Sequence, residues 1–234
     1  MFLPLHDDNR LRSIRFQYVT LAIIVANVLV YLYESTGMAD AVIASFAVVP
    51  KELFEVNIFG GAAPVSNDAI AIPERYTLLS YMFFHGDPLH LGGNMLFLWV
   101  FGDNVEDAMG HVKYLFFYLA CGIFAGLVHA WMSAGSEAPL IGASGAVAGV
   151  IAAYLMLHPR VMVWGVAFNV LPIRITAALA LGLWIVTQIV MVLLPQAGPV
   201  AWWAHVGGLI AGALLILVLR RPGVPLFDKG LRTA

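Results

Sequence analysis

Charged side chains are scarce in this chain of 234 residues: 11% are Asp, Glu, Lys or Arg, whereas 61% are hydrophobic. A soluble domain carries about 25% charged residues. The deficit is concentrated in long runs without any charge, and the longest of these runs covers residues 175–219. Because such runs are long enough to cross a bilayer as helices, the sequence predicts an all-α, polytopic membrane protein.

Three further absences narrow the range of functions. The single cysteine, Cys121, cannot form a disulfide within the chain. The net charge of −2 gives no basis for binding nucleic acid. Residues 1–15 contain Asp7 and Asp8 but lack an apolar core, so we expect no cleaved signal peptide.

The uncharged runs predict six membrane-spanning helices of about 20 residues each. They lie at residues 16–33, 89–102, 114–136 and 138–159, and on either side of a Pro-Gly break at residues 195–199. Residues 89–102 alone are too short, so we expect this second span to continue through Asp103, Glu106 and Asp107. These three carboxylates would then lie at one membrane surface.

The spans form one predicted membrane domain over residues 16–221, with a long outer loop at about residues 34–88. Residues 161–173 are too short to cross and include Pro172, which favours a loop or an interfacial segment. Residues 1–15 and 222–234 flank the domain as cytoplasmic segments.

The positive charges predict the orientation, because Lys and Arg concentrate on the cytoplasmic side of membrane proteins. Six spans place both termini on one side, where ten of the twelve basic residues also fall: Arg10, Arg12, Arg15, Lys113, Arg160, Arg174, Arg220, Arg221, Lys229 and Arg232. The other side has only Lys51 and Arg75. We therefore expect cytoplasmic termini, and a bacterial inner membrane as the location.

Four polar side chains on three predicted spans share one depth: Ser144, His205, His90 and Asn94. At about 1.5 Å per helical residue, Ser144 and His205 lie roughly 7 Å below the outer surface. A lone Ser among small residues most often only packs, and a polar group near a helix start is ordinary. An ionisable side chain inside a span is rare and generally functional, however, which favours a site containing His205.

Glycines on two of these spans predict a close helix contact. Gly145 and Gly149 on span four, and Gly208 and Gly212 on span six, have the four-residue spacing that lets helix backbones approach. If these faces meet, Ser144 and His205 come within hydrogen-bond distance.

Three motifs together resemble the rhomboid family of intramembrane serine proteases: GASG at residues 142–145, AHVGG at 204–208 and HGDPLHLGGNM at 85–95. The stretch FGDNVEDAMGH at residues 101–111 is also similar to the family. The resemblance covers most of residues 16–221. It implies a six-helix bundle with a water-filled cavity that opens outward.

The resemblance also implies roles for individual residues. Ser144 would be the nucleophile and His205 the general base, while His90 and Asn94 would help to bind the oxyanion. From the residues themselves, the Ser144 backbone N–H is a further candidate donor to the oxyanion. Gly142 would pack beside the site. A carboxylate that orients the histidine is common in serine proteases, but spans four to six contain neither Asp nor Glu. We therefore expect a Ser–His dyad, without cofactor or metal, that acts on transmembrane protein substrates in the lipid bilayer.

The first outer loop departs from the family. Rhomboids often carry a Trp-Arg pair there, whereas residues 34–88 contain no Trp and include an apparent insertion, NIFGGAAPVSNDAIAIPE. The structure of this loop is left open, as are the substrate, the cut site, the physiological role and the oligomeric state.

The same residues bear on other protease classes and on functions without catalysis. The chain has no His-Glu-x-x-His motif, which an intramembrane metalloprotease would need. It also has no pair of aspartates within spans, which an aspartyl protease would need. His90 and His205 as facing ligands of a haem or metal are one alternative. The main rival is a non-catalytic rhomboid relative that binds membrane clients, although such relatives typically lack the serine or the histidine.

Overall fold

The computed structural model of the chain describes residues 2–37, 40–55, 69–70, 72–167, 170–194 and 200–228. In chain order its helices are α1 (Tyr18–Glu34), α2 (Asp40–Ala44), α3 (Pro50–Glu55), α4 (Thr77–Ser80), α5 (Pro88–Met109), α6 (His111–Met132), α7 (Ser144–Leu157), α8 (Ala177–Leu193) and α9 (Trp202–Leu219). Its strands are β1 (Phe2–Asp7), β2 (Met162–Ala167) and β3 (Leu171–Thr176). Every predicted span overlaps one of the longer helices.

Two helices, α6 and α9, are both long enough and apolar enough to cross a membrane. Helices α1, α7 and α8 are apolar but shorter, with 17, 14 and 17 residues. Large apolar side chains are exposed along this bundle, among them Leu29, Phe116, Leu183 and Val218. An apolar surface of this extent is typical of a protein surrounded by lipid.

The prediction of an all-α fold is wrong in one respect, because the described residues include a small antiparallel sheet. Its strand order is β1-β2-β3, and it is built from the amino-terminal segment and from the segment that was expected to be a loop. Strand β2 alternates buried and more exposed residues, and Val163 and Val166 are β-branched. The segment of residues 161–173 is too short for a membrane helix; it contains β2 and the start of β3, which continues to Thr176.

The segment predicted as the second span is one continuous helix, α5, and Asp87 caps its start by accepting the backbone N–H groups of Leu89 and His90 at 2.8 Å. Of the acidic residues at its other end, Glu106 and Asp107 are buried within the protein and Asp103 is half-buried. Glu106 is fully buried and accepts the N–H groups of Val19 and Thr20 at 3.0 and 2.8 Å. Glu106 thereby satisfies two of the free N–H groups at the start of α1, which a helix cannot pair internally.

Helix α7 occupies the centre of the bundle, and all of its residues except Ser144, Leu155 and Met156 are buried. It packs against α5, α6 and α9. Helix α8 is peripheral, with only Ala177, Ala180, Leu181 and Gln188 buried.

The predicted contact between spans four and six is confirmed, but the two glycine pairs serve different neighbours. A Cβ on Gly208 or Gly212 would overlap the backbone of Gly145 or Gly149, so α9 lies directly on α7. A Cβ on Gly145, in contrast, would lie 2.6 Å from the Cβ of Ala125 on α6. The glycines of α7 therefore allow α6 to approach closely, and the glycines of α9 allow α9 to approach the backbone of α7.

Candidate active site

Ser144 is the first residue of α7. The residues before it are not helical: Leu140 forms a β-bridge with Val48, and the Gly142 N–H donates to the Tyr81 carbonyl at 2.9 Å. The helical rise behind the expected depth of roughly 7 Å therefore does not apply, because residues 139–143 are not helical. Ser144 instead lies at the helix N-terminus, where backbone N–H groups are free to bind an anion.

Gly142 shapes the turn that presents Ser144. Its φ is +119°, a backbone conformation that residues with a Cβ rarely adopt. An added Cβ would also lie 2.7 Å from Cε1 and Nε2 of His90. The His90 ring thus packs against this turn, immediately beside the serine.

His205 lies in the first turn of α9 and meets Ser144 across the helix interface. The distance between His205 Nε2 and Ser144 Oγ is 2.9 Å, which confirms the predicted proximity. The imidazole is buried, with 8% of its residue surface exposed, and packs against the rings of Trp184 and Trp202 at centroid distances of 5.8 and 5.9 Å. Each ring nitrogen lies within hydrogen-bond distance of another side chain, Nε2 of Ser144 Oγ and Nδ1 of Gln188 Oε1. This arrangement favours a dyad over a role as a facing metal ligand.

Gln188 of α8 is a partner of His205 that the sequence analysis missed. Its Oε1 lies 2.7 Å from His205 Nδ1. The available signal was an amide side chain within an otherwise apolar span, since polar groups inside spans usually have a bonding partner.

His85 lies in the loop before α5, as expected, and there it is buried and supports the same turn. Its Nε2 accepts the Ala143 backbone N–H at 3.4 Å, and its ring meets the His90 ring edge to face at 5.1 Å. Burial, followed by the neighbouring His90, lowers the pKa of His85 to about 4. The ring is therefore neutral at pH 7, and with its hydrogen on Nδ1 it accepts the Ala143 N–H through Nε2.

A cavity of about 820 Å³ lies over the serine. Loop residues such as Pro139 and helix residues such as Trp184 line it, together with Ser144, His205, His90, Asn94 and His129. The Asn94 Nδ2 and His129 Nδ1 atoms are buried and have no hydrogen-bond partner within the described part of the chain. The four predicted site residues therefore share one cavity, with His129 as an addition to them.

The sequence profile of the Rhomboid domain matches residues 73–222, which include every residue of this site. The chain belongs to the rhomboid family. Rhomboids are helical proteins embedded in membranes, so this chain is a helical membrane protein to which a small sheet is added.

Several rhomboids from different organisms are similar to this chain. RHOMBOID-like protein 5 of Arabidopsis thaliana is 33% identical over 146 residues, which cover 62% of this chain and 44% of the relative. Rhomboid protease GluP of Bacillus subtilis is 32% identical over 170 residues, covering 72% of this chain and 31% of the relative. The mitochondrial Rhomboid protein 1 of Saccharomyces cerevisiae is 27% identical over 147 residues, covering 61% and 41%. The chain thus spans less than half the length of each of these rhomboids.

Proposed function

We propose that this rhomboid is a serine endopeptidase that hydrolyses peptide bonds near one end of single-span transmembrane substrates. The observation that supports this proposal best is the 2.9 Å contact between Ser144 Oγ and His205 Nε2. The contact lies at a helix N-terminus and beside a cavity, in a family whose members include a protein named a protease.

In the proposed mechanism, His205 Nε2 takes the proton of Ser144 Oγ as that oxygen attacks the carbonyl carbon of the substrate. A new O–C bond forms, and the π electrons of the carbonyl move onto its oxygen. When this tetrahedral intermediate collapses, the C–N bond breaks and the leaving amine takes the proton from Nε2. Water then attacks the acyl-enzyme with His205 again as the base, which releases the acid and restores Ser144.

The negative charge on the substrate oxygen needs donors in the cavity. We assign this role to the Asn94 amide, the His90 ring and the backbone N–H of Ser144. The unpaired, buried Nδ2 of Asn94 supports the assignment, because a donor without a partner is ready to bind an incoming oxygen. Donors of this kind are worth roughly 3–4 kcal/mol each in other serine proteases.

The membrane topology is part of the proposal. We infer that α1 and α5–α9 are six spans with both termini in the cytoplasm, since ten of the twelve basic residues then lie on that side. A bacterial inner membrane stays a prediction. The relatives reported above come from a plant, a yeast and a bacterium, so they do not distinguish among membranes.

The decisive experiment incubates the purified protein in liposomes with a single-span reporter substrate. We expect Ser144→Ala and His205→Ala to abolish cleavage while both variants still fold and insert. Ser133→Ala, in the loop after α6, is a matched serine control that should cleave at the wild-type rate. Substantial cleavage by either dyad variant would refute the mechanism. A wild-type protein that binds the substrate without cutting it would favour the client-binding alternative.

The position of the cut is a separate prediction. Helices α5, α7 and α9 all place the site residues within their first two turns, so the reacting serine lies near one end of the bundle. An intact substrate helix pairs its own backbone groups, and it must unwind before Ser144 can attack. We expect mass spectrometry to map the cut to the outer end of the substrate helix. Replacing nearby Gly or Pro by Leu should slow cleavage, whereas a cut in the cytoplasmic half would contradict this placement.

A further inference from the structure

Gln188 is buried, unlike most residues of α8. Most of α8 faces outward, with Leu183, Ile189 and Val190 exposed by 63%, 49% and 46%, whereas Gln188 is exposed by only 4%. The other buried residues of α8 lie near its start. Burying a side-chain amide is unfavourable unless its hydrogen bonds are satisfied. The amide atoms of Gln188 are therefore expected to have hydrogen-bond partners inside the protein.

The amide has only one orientation that satisfies its neighbours. Nε2 donates to the Trp184 carbonyl at 2.9 Å and to Thr187 Oγ1 at 3.1 Å. The Thr187 hydroxyl donates its own proton to that carbonyl at 2.6 Å, so its oxygen is left to accept. Turning the amide over would place Oε1 against a carbonyl that cannot donate.

The orientation of Gln188 determines the protonation of His205. Oε1 can only accept, and it lies 2.7 Å from His205 Nδ1, so Nδ1 carries the hydrogen. In a neutral imidazole the other nitrogen is then a free acceptor. That nitrogen, Nε2, is the one that lies 2.9 Å from Ser144 Oγ.

We propose that Gln188 is a positioning residue that holds His205 in the tautomer with hydrogen on Nδ1 and thereby keeps Nε2 available as a base. This inference rests on the proposed peptidase function. The Nδ1–H bond to Gln188 persists when Nε2 takes the serine proton, so the amide dipole also stabilises the imidazolium that forms. A neutral amide does this without placing a carboxylate inside the membrane, where a buried charge is unfavourable.

The test compares Gln188→Leu, which removes the acceptor, with Gln188→Glu, which restores one. Asn27→Leu is the matched control. Asn27 is likewise a buried amide that donates to a carbonyl four residues earlier, Ile23, but it lies on α1 and outside the cavity. We expect Gln188→Leu to lower kcat by about ten- to a thousandfold with little change in KM, less than the roughly ten-thousandfold effect of a wrong tautomer in a complete triad. Gln188→Glu in its neutral form has an O–H for the Trp184 carbonyl and a carbonyl oxygen for His205 Nδ1, so it should recover most of the loss. Asn27→Leu should keep the wild-type kcat.

A direct readout of the tautomer does not depend on activity. ¹⁵N NMR of histidine-labelled protein, with His205 assigned by comparison with His205→Ala, should show hydrogen on Nδ1 in the wild type. Hydrogen on Nε2 in the wild type would overturn the inference even if the variants fail to fold. A wild-type kcat for Gln188→Leu would also overturn it. If the wild type does not cleave at all, the peptidase proposal fails, and the NMR result alone decides whether Gln188 sets the tautomer.

Discussion

At the scale of single residues, Asn94 places a buried, unpaired amide nitrogen in the cavity. Nδ2 has no hydrogen-bond partner within the described residues, although the side chain is only 8% exposed. An unpaired buried donor lowers stability by about 1–3 kcal/mol. Because the unpaired Asn94 amide lowers stability, we expect it to have a function. In the proposed reaction it binds the substrate oxyanion.

We predict that Asn94→Ala lowers kcat by about ten- to a thousandfold without abolishing cleavage, since His90 and the Ser144 N–H still donate. Asn104→Ala is the control on the same helix. Asn104 is also buried, but its amide is paired with Asp103 at 2.8 Å, far from the cavity. Steady-state kinetics on the reporter substrate measure both variants. Equal kcat values for Asn94→Ala and the wild type would mean that Asn94 has only a structural role.

At the level of helices, the dyad depends on how closely α9 approaches α7. Ser144 and His205 belong to different helices, and Gly208 lies one turn after the histidine. A Cβ there would overlap the Gly145 carbonyl oxygen, which belongs to backbone and cannot move aside as a side chain could. The absence of a side chain at one position therefore sets the distance between nucleophile and base.

We predict that Gly208→Ala inactivates the enzyme by separating α9 from α7, and that it lowers the thermal unfolding midpoint in detergent by several degrees. Gly182→Ala on α8 is the matched control, because its new Cβ would meet nothing within 4 Å. That variant should keep its activity and be slightly more stable, since Ala favours a helix over Gly. Full activity in Gly208→Ala would show that the contact is not needed for the dyad.

On the scale of the whole molecule, the strand at the amino terminus is tied to the central helix. Asp7 at the end of β1 is 4% exposed, and its carboxyl group accepts the hydroxyl of Tyr154 on α7. Burial raises the pKa of Asp7 to about 7; the bond from Tyr154 opposes this rise, and the nearby Asp103 of α5 adds to it. The sheet is therefore attached to the bundle through a group that titrates near neutral pH.

This attachment predicts a pH-dependent stability. Asp7 has a pKa near 3.8 when unfolded and about 7 when folded, so the folded state binds more protons between these values. The stabilisation of the folded state by the proton on Asp7 is fully present below about pH 4 and is lost as the pH rises through about 7. Asp7→Asn keeps an acceptor for Tyr154 but does not titrate. We expect thermal unfolding in detergent to show a larger loss of stability from about pH 5 to pH 8 in the wild type than in Asp7→Asn; equal losses would contradict the prediction.

The amino-acid sequence alone determined the features that depend on local composition and on motifs. Long uncharged runs located the helices, since a residue's preference for lipid does not depend on the partner it meets. The motifs around Ser144, His205 and His90 identified the family, because each motif contains a site residue together with the glycines next to it in the sequence. The glycine spacing also predicted correctly that α7 and α9 meet.

Only the tertiary structure decided which polar groups pair across elements. Gln188 lies 17 residues from His205, and His85 lies 58 residues from Ala143, so neither pairing leaves a periodic signal in the chain. The start of α7 at Ser144 depends on the pairing of Leu140 with Val48 and of Gly142 with Tyr81, which residues 139–143 do not encode locally. The sheet likewise needs β1 to meet β2 from more than 150 residues away in sequence. Such pairings depend on which faces of distant elements meet, and packing of the whole bundle settles that.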